Sequence, residues 1–466
     1  MEYFSPMTTQ TDNPRSDALV FFGATGDLAF KQIFPALQAL VKHGRLAMPI
    51  VAVGRRDVSI EKLRTRVKES LAASEQGVDG DAFEKLASQL RYAAVDFDAP
   101  ESFRSIRTAI PDAKHPLHYV ALPPDVFEKV AANLAEVGLA SGARLALEKP
   151  FGEDLASAKA LSEALHRSFE EESLFRIDHF LGKEPVENLV YFRAANPLIE
   201  RSLNGEQVDS VQITMAETFG VKGRAEFYDS VGAVRDVVQN HMLETIACLA
   251  MDLPTETGHG GVREARSRLL ARVRTLAKGD IVRGQVRGYK DEKGVAKDST
   301  TETFAILRFA IDSPRWNGVP FFVRVGKSLA TTATEMVVRW KGSATSVLED
   351  SRAPAPNHLR FRIGPDTAIA LGANVKASGE RMVGEATELL LHRAEADGMT
   401  AYERLLGDAI DGDATLFARR DAVEESWRVV DPVLDDATPV YPYAPGSQGP
   451  AEGERLVPPG GWSEPG

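Results

Sequence analysis

Arg176-Ile-Asp-His-Phe-Leu-Gly-Lys-Glu184 places Arg176, Asp178, His179 and Lys183 within eight residues. Basic groups at this density give a phosphate somewhere to bind, and a histidine beside an aspartate gives a proton somewhere to go. About sixty residues on lies a second polar cluster, Arg235-Asp-Val-Val-Gln-Asn-His241, and near the start a glycine-rich turn, Gly23-Ala-Thr-Gly-Asp-Leu-Ala29. Phosphate binding, proton transfer and a nucleotide turn together read as a dehydrogenase acting on a phosphorylated sugar.

Oxidising an alcohol to a carbonyl releases a hydride and a proton, and histidine is the usual acceptor of that proton near neutral pH. Nine histidines are present, of which His43, His115, His118, His166, His259, His358 and His392 have no notable context. His241 falls inside a predicted helix near Asp236; taken alone, such a histidine reads first as a packing residue.

The turn Gly23-x-x-Gly26-x-x-Ala29 follows an apolar strand and opens a helix. Gly23 permits a tight turn, Gly26 lets the backbone approach a pyrophosphate, and Ala29 lets helix pack on strand. The free amides at the helix start then face the anion, which makes Gly23, Thr25, Gly26, Asp27 and Leu28 candidate cofactor contacts. The spacing departs from the usual G-x-G-x-x-G. After the second strand, Gly54-Arg55-Arg56 stands where NAD enzymes carry a ribose-binding carboxylate. Two guanidinium groups suit a 2′-phosphate and favour NADP; Asp57, turned inward, would restore NAD use.

These groups need a scaffold. Short apolar strands are expected at Ala18–Phe22, Ala47–Val53, Arg91–Val95, Leu117–Leu122 and Ala143–Leu147. Helices are expected after Gly23 through Leu40 and over Asp125–Val137. Alternation of this kind implies an α/β, Rossmann-like, doubly wound parallel sheet. Beyond it, Val208–Glu217, Thr303–Ile311, Pro320–Val325, Glu335–Trp340 and His358–Ile363 alternate apolar and polar residues and predict a large, mostly antiparallel sheet in an α+β domain. Helices are expected over Val231–Met251, Gly384–Ala396, Thr400–Ile410 and Arg420–Val430, and the Pro- and Gly-rich final twenty or so residues read as irregular. The expected organisation is a flexible tail over 1–16, a dinucleotide-binding domain over 17–175 and a substrate-binding and oligomerisation domain over 176–466.

Composition narrows the class. A net charge of −12 argues against a nucleic-acid groove. No run of about 18 apolar residues suggests a membrane span, and the polar first sixteen residues do not read as a secretory signal. The single cysteine, Cys248, excludes an internal disulfide and a cysteine-rich zinc site, and fits a reducing cytoplasm. No metal-ligand spacing stands out.

The chain resembles the glucose-6-phosphate dehydrogenase family, whose signature is Arg-Ile-Asp-His-Tyr-Leu-Gly-Lys-Glu. The likeness also includes Glu148-Lys-Pro-Phe-Gly152, Arg235 to His241, Ala401-Tyr-Glu-Arg-Leu-Leu406, Ser426-Trp-Arg-Val-Val-Asp431 and Gly446-Ser-Gln-Gly-Pro450. It implies an NADP-linked oxidation of glucose 6-phosphate at C1, entry into the pentose phosphate pathway and a homodimer or homotetramer. It makes His241 the base, with Asp178 orienting its imidazole. It makes His179 and Lys183 phosphate ligands, and Lys149, Glu217, Asp236 and Lys327 the remaining substrate contacts; Lys149 lies beside the cofactor as well, next to a cis Pro150.

Three features depart from the family. Phe180 replaces a tyrosine whose hydroxyl donates to the phosphate. Thr332 and Ala333 stand where a basic residue is usual, and Gly364 where many members have a polar side chain. The losses predict weaker substrate affinity or a different hexose phosphate as substrate. A non-catalytic nucleotide-binding paralogue is a third reading, opposed by the intact Asp178, His179, Lys183 and His241.

Overall fold

A computed structural model describes residues 14–55, 58–255, 259–342, 355–379, 382–393 and 398–465. Residues 1–13 of the expected tail, and Arg56 and Asp57 beyond the second strand, lie outside the described residues.

The run Ala-Leu-Val-Phe-Phe forms β1 (Ala18–Phe22), buried along its whole length. Its residues alternate between two cores. Leu19 and Phe21 pack on one face of the sheet, and Ala18, Val20 and Phe22 on the other, as a parallel strand covered on both sides requires. β2 (Ile50–Gly54), β3 (Leu90–Ala94), β4 (Pro116–Val120), β5 (Arg144–Glu148) and β6 (Leu174–Ile177) complete a six-stranded parallel sheet in the order β3-β2-β1-β4-β5-β6. The order reverses between β1 and β4, and ligands of such sheets bind in the crevice beyond the strand ends at that switch. β6 runs on to Ile177, so the last strand of the sheet delivers Asp178 directly and straddles the 175/176 boundary.

The second sheet has nine strands among the described residues: β7 (Val208–Ala216), β8 (Ile281–Val286), β9 (Phe304–Phe309), β10 (Phe321–Gly326), β11 (Ala333–Trp340), β12 (His358–Gly364), β13 (Ala368–Lys376), β14 (Gly384–Arg393) and β15 (Val440–Tyr443). Their order is β14-β13-β12-β11-β7-β10-β9-β8-β15. Only β7–β10 and β8–β15 pair in parallel. Val211, Ile213, Val323, Val325, Met336 and Val338 face the helices that cover one side, whereas Gln212, Thr214, Arg324 and Glu335 occupy the opposite face.

Two expectations need correction. The segment read as a helix over Gly384–Ala396 is strand β14 as far as Arg393, and residues 394–396 lie outside the described residues. Its Glu, Ala and Leu content favours helix locally, but continuous antiparallel pairing from Lys376↔Gly384 to Ala368↔Arg393 overrides that preference. The helix expected over Val231–Met251 is not one regular helix. A first helix, Ala225–Ala233, is interrupted at Gly232, whose φ is +67°. A π-helical stretch over Val234–Met242 and an α-helix over Leu243–Ala250 follow. A Cβ at Gly232 would lie 2.5 Å from Glu302 Oε1. That carboxylate accepts from the Val234 amide at 2.9 Å and so holds the restart of the helix. The widened turn carries Asp236 and His241, a placement that π-turns often serve at functional sites.

Late elements join the two halves. The helix Ala401–Asp411 buries Leu405, Leu406, Ala409 and Ile410 in the core of the first sheet, while the helix Arg420–Val430 packs Val423 and Trp427 against the second. Trp427 Nε1 donates to Phe151 O at 2.9 Å, which ties the Glu-Lys-Pro-Phe loop to the far half of the chain. Among the described residues no helix is long and apolar enough to cross a membrane.

Candidate active site

Asp178 lies one residue beyond β6, and His241 lies in the last turn of the π-helical stretch, so each comes from a different half of the fold. His241 Nδ1 and Asp178 Oδ1 are 2.5 Å apart, and both side chains are almost fully buried. Asp178 Oδ1 also accepts from the Phe180 amide at 2.9 Å. Burial pushes the Asp178 carboxyl upward, but His241, His179 and Lys149 more than reverse this and hold it well below the usual carboxylate range. Burial lowers the His241 imidazole, Asp178 opposes the shift, and the net direction is downward. The result is a neutral imidazole beside an ionised carboxylate. With Nδ1 donating to Asp178, Nε2 keeps the lone pair, as a base needs.

Aromatic rings fix the imidazole. Phe180 stacks on His241 with centroids 4.4 Å apart and planes 17° apart, and His179 meets it edge-on at 4.5 Å. Lys183 Nζ sits 3.9 Å from the centroid of the Phe180 ring. Burial and the neighbouring His241 depress His179 to about 3, so it enters the site uncharged. Burial also lowers Lys183, against support from Asp178 and Glu217. Asp178, His179 and His241 offer ligand atoms within 4.8 Å of one another, close enough for a metal ion. The Nδ1–H to Oδ1 bond, however, commits two of those three groups to each other.

Two further cation–carboxylate pairs complete the cluster. Lys149, just past β5, donates to Asp236 O at 2.6 Å and Asp236 Oδ1 at 3.1 Å. Burial raises Asp236, but Lys149 and Lys327 bring it below the ordinary range. Lys327 pairs with Glu217 at the adjacent ends of β10 and β7. The peptide bond between Lys149 and Pro150 is cis. The chain therefore brings Lys149, Asp178, His179, Lys183, Glu217, Asp236, His241 and Lys327 to the junction of its two sheets. Arg176 is not among them: it is buried and pairs with Glu171 at 2.9 Å. Arg235 likewise turns away, to Glu153 O and Asp435.

The positions that depart from the expected pattern have definite surroundings. Phe180 is buried between His241 and Lys183. The Thr332 hydroxyl bonds to Thr218 through both its amide, at 3.0 Å, and its Oγ1, at 2.9 Å. Ala333 is buried in β11, and a Cβ at Gly364 would meet open space.

The nucleotide turn stands at the switch point. Gly23 has φ +84°, and a Cβ there would fall 2.2 Å from Ala121 O, so only glycine lets the turn cross β4 at that distance. Thr25, Gly26 and Asp27 are exposed and Leu28 half-buried at the start of a helix that runs to Lys42, through a π-helical stretch at Ala29–Ile33. Arg55 is exposed at the end of β2; Arg56 lies outside the described residues. This open cradle fits a dinucleotide.

Sequence reasoning missed a buried pair beneath the site. Tyr119 OH donates to Glu148 Oε1 at 2.5 Å, and burial pushes Glu148 up to about 7. Tyr402 lies parallel to the His179 ring, with planes 6° apart. The signal for Glu148 was its place beside Lys149; a tyrosine in an apolar strand carried none.

Residues 20–188 match the family model described as glucose-6-phosphate dehydrogenase, NAD binding domain, and residues 190–462 match glucose-6-phosphate dehydrogenase, C-terminal domain. Glucose-6-phosphate 1-dehydrogenase 1 of Mycobacterium tuberculosis is 39% identical over 444 residues, which cover 95% of each chain. The crystal structure of glucose-6-phosphate 1-dehydrogenase from Mycobacterium avium superposes with a TM-score of 0.90 at 40% identity, covering 97% of this chain and 99% of that one. A glucose-6-phosphate dehydrogenase in complex with its substrate glucose 6-phosphate gives a TM-score of 0.89 at 33% identity, covering 97% and 100%.

Proposed function

The chain belongs to the glucose-6-phosphate dehydrogenase family, and on that premise we propose that it oxidises glucose 6-phosphate at C1 to 6-phosphogluconolactone with NADP, at the entry to the pentose phosphate pathway. The observation that carries the mechanism is the buried 2.5 Å contact between His241 and Asp178. His241 Nε2 takes the C1 hydroxyl proton, and the adjacent carboxylate stabilises the imidazolium that forms. NADP, when bound, supplies the hydride acceptor. Stacking on Phe180 and contact with His179 keep the imidazole in one orientation while the proton moves.

Lys183 supplies the fixed positive charge for the substrate phosphate, and neutral His179 supplies a hydrogen bond. Lys149, Asp236, Glu217 and Lys327 hold each other in two pairs that a sugar's hydroxyls would enter. Gly23, Thr25, Gly26, Asp27 and Leu28 cradle the pyrophosphate, Lys149 serves both cofactor and sugar, and Arg55 is the described residue that we assign to the 2′-phosphate. The chain works in the cytoplasm as a homodimer or homotetramer. A single, buried cysteine supports the first point, and strand β14, which ends its sheet among the described residues, supports the second.

A second reading, oxidation of another hexose phosphate, draws on Phe180, Thr332 and Gly364. At none of these positions does the chain offer the donor or cation expected around the substrate. The test of both is the appearance of reduced nicotinamide from purified protein with NADP and a panel of hexose phosphates. Glucose 6-phosphate should give the highest kcat/KM, and His241→Asn should lower kcat by about 10²–10⁴. A higher kcat/KM for another sugar would move the assignment to it; full activity in the variant would remove His241 as base.

A further inference from the structure

One cation at the nucleotide turn has no place in the contacts above. Arg66 lies in the helix Ile60–Ala73, which follows β2. Its Nη2 donates to Thr25 O at 2.8 Å and to Gly26 O at 3.1 Å, and its guanidinium lies 5.2 Å above the Phe30 ring. Its Nε is buried without a hydrogen-bond partner, and among the described residues no carboxylate pairs with it. A guanidinium that is held in place by backbone oxygens and stacked on an aromatic ring, with no carboxylate partner among the described residues, is prepared for an anion.

Its position says which anion. The Gly23 amide donates to Val53 O at 3.2 Å, so the turn leaves β1 alongside the end of β2. A Cβ at Gly54 would lie 3.8 Å from Thr25 Cγ2, and Arg55 comes next. The Thr25 turn, the backbone that leads into Arg55 and the Arg66 guanidinium therefore share one corner. The pyrophosphate faces the amides at the start of the Asp27–Lys42 helix, whereas Arg66 approaches the same turn from its carbonyl side. In a sheet of this order the adenosine ribose lies by the end of β2.

We propose that Arg66, acting with Arg55, is a specificity-determining ligand of the cofactor's 2′-phosphate. Nη2 stays on the turn, while Nη1 remains to donate to the phosphate, and Phe30 supports the plane of the fork. The side chain is already ordered before the ligand arrives, so little conformational freedom is lost on binding. This inference rests on the NADP reading above but not on the sugar chemistry.

Calorimetric titration of the full-length protein with 2′,5′-ADP and with 5′-ADP tests it without any sugar present. The wild type should prefer 2′,5′-ADP. Arg66→Gln should weaken 2′,5′-ADP about tenfold or more and 5′-ADP by less than about twofold, and Arg66→Lys should recover part of the loss. Equal weakening of both nucleotides would make Arg66 a brace for the turn and overturn the proposal. Unchanged affinity for 2′,5′-ADP in Arg66→Gln would overturn it while leaving the NADP reading intact. A wild type with no preference for 2′,5′-ADP would sink both.

Discussion

At the scale of single residues, the site depends on one imidazole being neutral and fixed. Burial outweighs the Asp178 carboxylate and carries His241 downward, so the acid limb of kcat should fall below the ordinary histidine value of about 6.5. The sign follows from the base role: protonated His241 cannot accept the C1 proton, so turnover is lost as pH drops through its pKa and is flat above it. A kcat profile still rising well above pH 7 would contradict that assignment. Phe180 is the other decisive residue. Its ring orients His241 on one face and carries Lys183 on the other, so the departure from tyrosine keeps the packing and drops only the hydroxyl. Phe180→Tyr should therefore lower KM for glucose 6-phosphate about tenfold, the worth of a hydrogen bond to a charged group, with kcat little changed. An unaltered KM would mean that the ring's outer edge does not reach the phosphate.

At the scale of elements, strands ending together deliver the charges. The Glu148↔Ile177 register of β5 and β6 brings Lys149, just past β5, beside Asp178, just past β6. That juxtaposition leaves Glu148 buried against Tyr119, with its acid raised from 4.5 to about 7. Between those values the native state holds a proton that the unfolded chain has lost. The contribution of this group is thus complete below about pH 4.5 and is lost as pH rises through about 7. Denaturation of the wild type and Glu148→Gln should show the wild type losing ground to the variant across that window, then levelling; parallel curves would show that Glu148 does not titrate there. How far such elements could be read in advance follows the same physics. Five of the six parallel strands were legible because burial on both faces leaves apolar runs, and the candidate site residues because they sit in compact motifs. β6, β8, β13 and β15 were missed, being short or rich in small and polar residues. β14 was misread because Glu, Ala and Leu say helix until a neighbouring strand is present to pair with. The interruption at Gly232 needs the Glu302 carboxylate from 70 residues on, 302 against 232, to explain it. Arg66 was invisible because its chemistry depends on which carbonyls the next element places under it.

At the scale of the whole molecule, every candidate site residue is supplied by one chain, yet one sheet edge among the described residues is long and apolar. The sheet that bears Glu217 and Lys327 ends at β14, where Leu389, Leu390 and Leu391 are 51%, 59% and 48% exposed. Successive strand residues point to opposite faces, so apolar surface is open on both sides of this strand as well as along its outer edge, which pairs with no strand among the described residues. A ten-residue edge with no proline and a leucine triplet is a liability for a lone protomer, and natural sheets cover such edges. A second copy of the chain is the cover that the family resemblance implies. Sedimentation of the wild type should give a dimer or tetramer mass, and Leu389→Glu with Leu391→Glu should give protomers. Asp178 and His241 are joined within one chain and lie at the junction of the sheets rather than at this edge. The separated protomers should therefore keep the dyad and most of kcat, losing thermal stability first. A double variant that retained the wild-type mass would place the interface elsewhere, and one that dissociated with total loss of turnover would show that assembly shapes the site itself.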